Sequence, residues 1–158
     1  MVVILATAGG AGYAPVAPGT FGSAIGVALY VPFSVLNPLL FALTVTAMLF
    51  LGIWAADGAE QVFGKKDDGR IVIDEVVGQL IALAPLLVFG GPATARSVPL
   101  LGAGFLLFRL FDIWKPDPVG WAERRFAGGA GVMLDDVVAG ALAGLCVTPL
   151  VLIWGASA

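Results

Sequence analysis

The sequence predicts an all-α fold, a compact membrane bundle of about five to six main helices with one short interfacial helix. Three observations carry the prediction. Apolar residues make up 59% of the chain and charged residues 12%, against roughly 45–50% and about 25% in soluble domains, and the mean hydropathy is +1.01. The apolar residues gather in five long runs, 21–36, 39–56, 74–89, 98–111 and 137–158, with none of the two-residue alternation that marks a strand. When these runs are threaded back and forth through a bilayer, their polar ends sort onto one side.

Taken in order, residues 9–22 carry five glycines and two prolines, which oppose regular structure and favour a defined loop. Thr20 at its end suits an N-cap for the first helix. Read functionally, Thr20 and the free N–H groups around it could also receive an anion. Only the second and last runs approach the roughly 20 residues that span a bilayer core. The others reach that length when their polar ends are counted, and Pro32, Pro85 and Pro99 suggest kinks or frayed ends. Residues 70–73 are expected to be briefly extended. Asp57, Glu60, Asp67 and Asp68 are expected in a solvated loop. Pro116 stops the fourth helix, and residues 121–126, with Trp121, Arg124 and Arg125, suit the interfacial helix. No internal repeat interrupts this pattern, and at 158 residues the expectation is a single domain over 1–158.

The charge distribution orients the bundle. All eleven acidic residues and seven of the eight basic ones fall on one side, Arg96 alone lying opposite. The positive-inside rule makes the charged side cytoplasmic and the C-terminus external, the expectation for a multi-pass protein of a cytoplasmic (inner) membrane. Residues 1–8 are apolar but lack a basic flank, which argues against a cleaved signal peptide. A net charge of −3 without a basic cluster argues against a nucleic-acid partner. The single cysteine, Cys146, lies in an apolar run and provides neither a disulfide nor a thiolate site.

The acids cluster where apolar runs end. Asp74 and Glu75 open one run, Asp135 and Asp136 another, and Asp112 closes a third. Carboxylates brought together at low dielectric repel one another unless a cation neutralises them, and Mg²⁺ prefers oxygen ligands of this kind. Neighbouring helical residues point about 100° apart, so Asp135 and Asp136 share one site only at a helix start; Gly128, Gly129 and Gly131 just before them suit that placement. Gly78, four residues after Asp74, and Gly140, four after Asp136, let helices approach closely. Arg109, Asp112 and Lys115 are spaced three apart on one helix face, either as a salt-bridged helix end or as a metal-binding acid flanked by two anion-holding cations. With no histidine in the chain, a histidine phosphoenzyme and a Ser-His-Asp triad are excluded. Water or an alcohol activated by a carboxylate-bound metal remains, and in a membrane a phospholipid is the natural substrate.

Four stretches resemble the phosphatidylglycerophosphatase A family of bacterial lipid phosphatases. They are Tyr-Ala-Pro-Val-Ala-Pro-Gly-Thr-Phe-Gly-Ser at 13–23, Ile-Val-Ile-Asp-Glu-Val-Val-Gly at 71–78, Phe-Arg-Leu-Phe-Asp-Ile-Trp-Lys-Pro at 108–116, and Gly-Gly-Ala-Gly-Val-Met-Leu-Asp-Asp-Val-Val-Ala-Gly at 128–140. The resemblance implies an all-helical bundle and Mg²⁺-dependent hydrolysis of the terminal phosphate of phosphatidylglycerophosphate in phospholipid biosynthesis. Carried over by position, it implies metal on Asp74, Glu75, Asp135 and Asp136, catalytic roles for Asp74, Asp112, Asp135 and Asp136, and phosphate near Thr20, Arg109 and Lys115. Two rivals use similar residues. An ion-coupled transporter would place acids mid-membrane rather than at one face. A phospholipid-alcohol phosphotransferase would carry an Asp-x-x-Asp-Gly spacing that is absent here.

Overall fold

Every apolar run becomes a helix in the computed structural model, which describes residues 1–156 and side chains through Trp154. The helices are α1 (Val2–Ala6), α2 (Pro18–Phe33), α3 (Pro38–Phe63), α4 (Ile73–Pro85), α5 (Val98–Trp114), α6 (Val119–Arg125) and α7 (Gly129–Ala156). The described residues contain no strand. Helical stretches over Pro38–Phe63, Ile73–Gly90, Ala95–Trp114 and Gly129–Trp154 are long and apolar enough to cross a membrane; the first run, against expectation, gives the 16-residue α2, which Pro18 and Ser34 bound short of that length. The third and fourth runs reach that length because helix continues through their charged ends and, beyond Pro85, through a π turn at Leu86–Gly90. The end of the last run at 157–158, and with it the C-terminus assigned to the far side, lies outside the described residues.

Several local expectations change. Helix α2 begins at Pro18, whose fixed φ suits a first turn, with Ala17 as N-cap in the left-handed region. Thr20 therefore sits inside the first turn, its N–H donating to the Ala17 carbonyl at 2.9 Å, and does not cap. Helix α3 runs past residue 56 to Phe63, which puts Asp57 and Glu60 on a helix rather than in a loop. Asp57 accepts a hydrogen bond from the Gly129 N–H and so tethers the start of α7. Glu60 accepts from the Asp67 N–H at 2.6 Å. Asp68 is buried, not solvated, and grips Arg70 through two oxygens at 2.7 and 3.0 Å, while the Arg70 guanidinium lies 3.8 Å from the Phe63 ring centroid. The Arg70 hydrogen bonds hold the Asp68 carboxyl below its ordinary range. The pair's contribution is therefore complete above the usual carboxylate value and is lost as pH falls through the lowered one. Residues 71 and 72 leave the helix but form no strand; the Val72 N–H donates to Ala6 at 2.8 Å and ties the turn to α1.

Helix α4 is the central element, packed by α2 on one face and α7 on another. In a bilayer, water supplies no drive for helices to associate, so close backbone approach through small residues has to hold them. Gly78 and Gly140 provide it. A Cβ at Gly140 would overlap the Gly78 carbonyl, and one at Gly78 would lie 2.7 Å from the Asp136 carbonyl oxygen and 2.6 Å from Phe108. Along the opposite face, Gly19 and Gly22 meet Glu75 and Gly26 meets Gln79, so α2 and α4 run parallel from the same end. Deeper in, Val76, Val77, Leu80 and Leu83 pack with Tyr30, Met133 and Val147. The starts of α2, α4 and α7 thus meet the end of α5 at one pole, while Arg96 and Trp154 share a cavity at the other. Large apolar side chains such as Phe50, Leu106 and Leu145 face outward, as expected where the surroundings are lipid.

Gly140→Ala should destabilise the protein by about 1–3 kcal/mol, because the methyl has no space. Gly102→Ala, on α5 with nothing within 4 Å of its Cβ position, should be neutral or stabilising. Denaturant titration in mixed micelles compares the two, and equal tolerance would refute the tight α4–α7 contact.

Candidate metal centre

The Gly78–Gly140 contact sets the site. Asp74 lies one helical turn before Gly78 on α4, and Asp136 one turn before Gly140 on α7, so bringing the glycines together brings the two carboxylates together above them. Glu75 projects toward α2, where the missing side chains of Gly19 and Gly22 leave it room: a Cβ at Gly19 would lie 3.0 Å from the Glu75 Cδ, and one at Gly22 3.3 Å from its Cβ. One carboxylate oxygen from each of Asp74, Glu75 and Asp136 then falls within 4.8 Å of the others. Asp136 and Asp74 are 2% and 9% exposed, and the Glu75 side chain 14%.

Arg109 and Asp112, from the last turns of α5, complete the group. The Arg109 guanidinium pairs with Asp112, lies 3.9 Å from Glu75 and donates to Ser23 Oγ at 3.4 Å. Four carboxylates therefore face one guanidinium, a deficit of positive charge that a buried site does not sustain unaided. Among the described residues, Asp74 Oδ1, Glu75 Oε2, Asp136 Oδ2 and Arg109 Nε are buried without a hydrogen-bond partner. Orphaned carboxylate oxygens converging from three side chains are a donor set that could hold a hard divalent cation.

The remaining residues expected at the site stand outside this trio. Helix α7 starts at Gly129, so Asp135 and Asp136 stand two turns inside it rather than at its start, and the roughly 100° between neighbours sends them to different partners. Asp135 accepts from Lys115 Nζ at 2.8 Å and faces a cavity of about 240 Å³ shared with Lys66, Asp67 and Glu123. Lys115 does not continue the line of Arg109 and Asp112. It is the left-handed C-cap of α5 (φ 47°), and its ammonium spans Asp135 and Glu123 at 2.8 and 3.1 Å. Burial disfavours its charge, but the two carboxylates outweigh that and hold its pKa above the ordinary lysine value. Thr20 neighbours Gly19, against which Glu75 and Arg109 pack, and is half-buried at the edge of the group.

Sequence reasoning gave no role to Ser23 or Glu123, and read Gly19 and Gly22 as parts of a loop rather than of a helix face. The spacing of Gly19, Gly22 and Gly26, at i, i+3 and i+7, is the signal that could have found that face, since it marks one side of a helix reserved for a close neighbour.

The family model described as Phosphatidylglycerophosphatase A matches residues 4–151. The chain is similar to Phosphatidylglycerophosphatase A of Escherichia coli, 34% identical over 88% of this chain and 77% of the relative. It is likewise similar to Phosphatidylglycerophosphatase A of Haemophilus influenzae, 35% identical over 86% and 80%. A Bacteroides thetaiotaomicron protein, provisionally named a phosphatidylinositol-3-phosphatase, is 42% identical over 87% and 86%. No solved structure matches the chain.

Lys115→Met should cost roughly 1–3 kcal/mol, below the range for a wholly buried pair because the lysine side chain is 31% exposed. Much of that cost is the uncompensated Asp135, so Lys115→Met combined with Asp135→Asn should recover part of it in a double-mutant cycle. Strict additivity would show that the pair is not coupled.

Proposed function

The chain belongs to the phosphatidylglycerophosphatase A family, and from that premise we propose how its buried carboxylates perform the reaction. The activity is phosphatidylglycerophosphatase: the terminal phosphomonoester of phosphatidylglycerophosphate is hydrolysed to phosphatidylglycerol and phosphate. The observation that carries the mechanism is the convergence of Asp74, Glu75 and Asp136 with an unpartnered oxygen on each. These three would hold Mg²⁺. A bound Mg²⁺ supplies Lewis-acid polarisation of the phosphoryl group and lowers the pKa of water.

The chain's own residues do the rest. Arg109, with a buried unpartnered Nε, presents positive charge to the equatorial phosphoryl oxygens as they gain charge. Asp112 would orient that guanidinium and, standing outside the trio, would accept the proton of the attacking water. Thr20 and the first turn of α2, which packs against Arg109 at Gly19, would border the phosphate on the same side. Asp135, clamped by Lys115, fixes the rotation of α7 and with it the aim of Asp136. The acyl chains lie against the apolar outer faces, and the charged pole faces the cytoplasm at the inner membrane, in line with seven of eight basic residues at that pole. The transporter and phosphotransferase readings gain nothing from the relatives.

The decisive assay is phosphate release by purified protein in detergent, with phosphatidic acid and phosphatidylinositol 3-phosphate as competitors. The second competitor tests the name carried by the Bacteroides relative. Release should be selective for phosphatidylglycerophosphate and stop on chelation. Asp74→Asn, Glu75→Gln and Asp136→Asn should each lower kcat by roughly a hundred- to a thousandfold, the scale for one preorganised charge-stabilising group, while Asp135→Asn retains more activity. Near-wild-type turnover by Asp74→Asn and Asp136→Asn would sink the assignment. For orientation, Lys66→Cys in a Cys146→Ala background should react with an impermeant maleimide in inverted vesicles and not in intact cells.

A further inference from the structure

Gln79 is fully buried, and neither its Nε2 nor its Oε1 has a hydrogen-bond partner among the described residues. A primary amide in a membrane-spanning helix is retained against a steep desolvation cost, so an unserved one points to a task. Its position names the task. Gln79 lies one turn along α4 from Glu75, on the same face, the spacing at which helical side chains meet. The facing surface of α2 is cut away for both residues. A Cβ at Gly26 would lie 2.7 Å from the Gln79 Cβ, 3.0 Å from its Cγ and 2.9 Å from the Val76 carbonyl oxygen, just as Gly19 and Gly22 make room for Glu75. On that shared face Glu75 Oε2 is itself buried and unpartnered.

We infer that Gln79 is a positioning residue of the carboxylate site, its amide N–H donating to one Glu75 oxygen when a divalent cation is held by the other. The inference rests on the metal reading above and adds a residue to it. The amide type fits the place. A lysine there would neutralise Glu75 and displace the cation, and a further acid would add to four carboxylates already opposed by one guanidinium, whereas a neutral donor fixes the carboxylate without changing the charge.

The test uses Mn²⁺ as the probe, titrated against the full chain in detergent with free Mn²⁺ read by electron paramagnetic resonance. Gln79→Met keeps the length and volume without the amide, and Gln79→Asn keeps the amide but falls short of Glu75, so at least one variant is expected to fold. Both should weaken Mn²⁺ binding by about 10- to 100-fold, the scale for losing a hydrogen bond to a metal ligand, with kcat largely restored at saturating metal and KM for lipid unchanged. In a Glu75→Gln background, Gln79→Met should have no further effect on affinity. Wild-type Mn²⁺ affinity in folded variants overturns the inference, as does coupling of Gln79→Met to Tyr30→Phe in place of Glu75→Gln, which would assign the amide to the buried Tyr30 hydroxyl. Failure of the unmodified chain to bind Mn²⁺ would bring down the metal centre and this inference together, an outcome distinct from the other two.

Discussion

Mutual repulsion of carboxylates at low dielectric is the constraint on which the rest of the structure depends. Asp74, Glu75, Asp112 and Asp136 come from three different helices and meet with one guanidinium between them. Folding by itself gains nothing from that meeting, since each charge leaves water and finds others of its own sign. The cost is reduced because the group sits at the charged pole of the bundle, and the proposed cation would offset it further. An arrangement of this kind is expected where a phosphoryl group must be held and its charge dispersed, which is the task of the phosphatidylglycerophosphatase A family.

Glycine is the means by which the bundle enforces the meeting. Helices in a bilayer cohere through packing and not through exclusion of water, so their separation is set by the bulk of whatever lies between them. Gly78 against Gly140 draws α4 and α7 together, and Gly19, Gly22 and Gly26 draw α2 onto the other side of α4. The acids ride one turn from these contacts. Small residues and carboxylates are thus two parts of one device, the first setting the distances at which the second act.

The adjacent pair Asp135 and Asp136 shows how helical geometry divides labour. Two turns into α7, neighbouring side chains diverge, and one carboxylate joins the buried trio while the other takes the Lys115 ammonium. Lys115 in turn reaches Glu123 on α6, so the interfacial helix is pinned to the same helix that carries a ligand candidate. The charged pole is held by its surroundings as well as by its own chemistry.

The sequence by itself determined the class of the protein. Composition and apolar runs of membrane length dictate helices, because lipid leaves the backbone no other way to satisfy its hydrogen bonds. Uncompensated acids at the ends of those runs, together with four family-like stretches, pointed to the pole at which Asp74, Glu75, Arg109, Asp112 and Asp136 gather. Tertiary structure decided which acids converge. Whether Asp135 or Asp136 faces the site depends on the rotation of α7, which hinges on its start at Gly129 and on the Asp57 tether from α3, 72 residues earlier in the chain. Lys115 left its expected line because a left-handed C-cap redirected it, and the places of Ser23 and Gln79 became visible only once α2 lay against α4. Helical periodicity sets where side chains stand on their own helix; which faces meet is settled by packing between helices, and local sequence does not encode it.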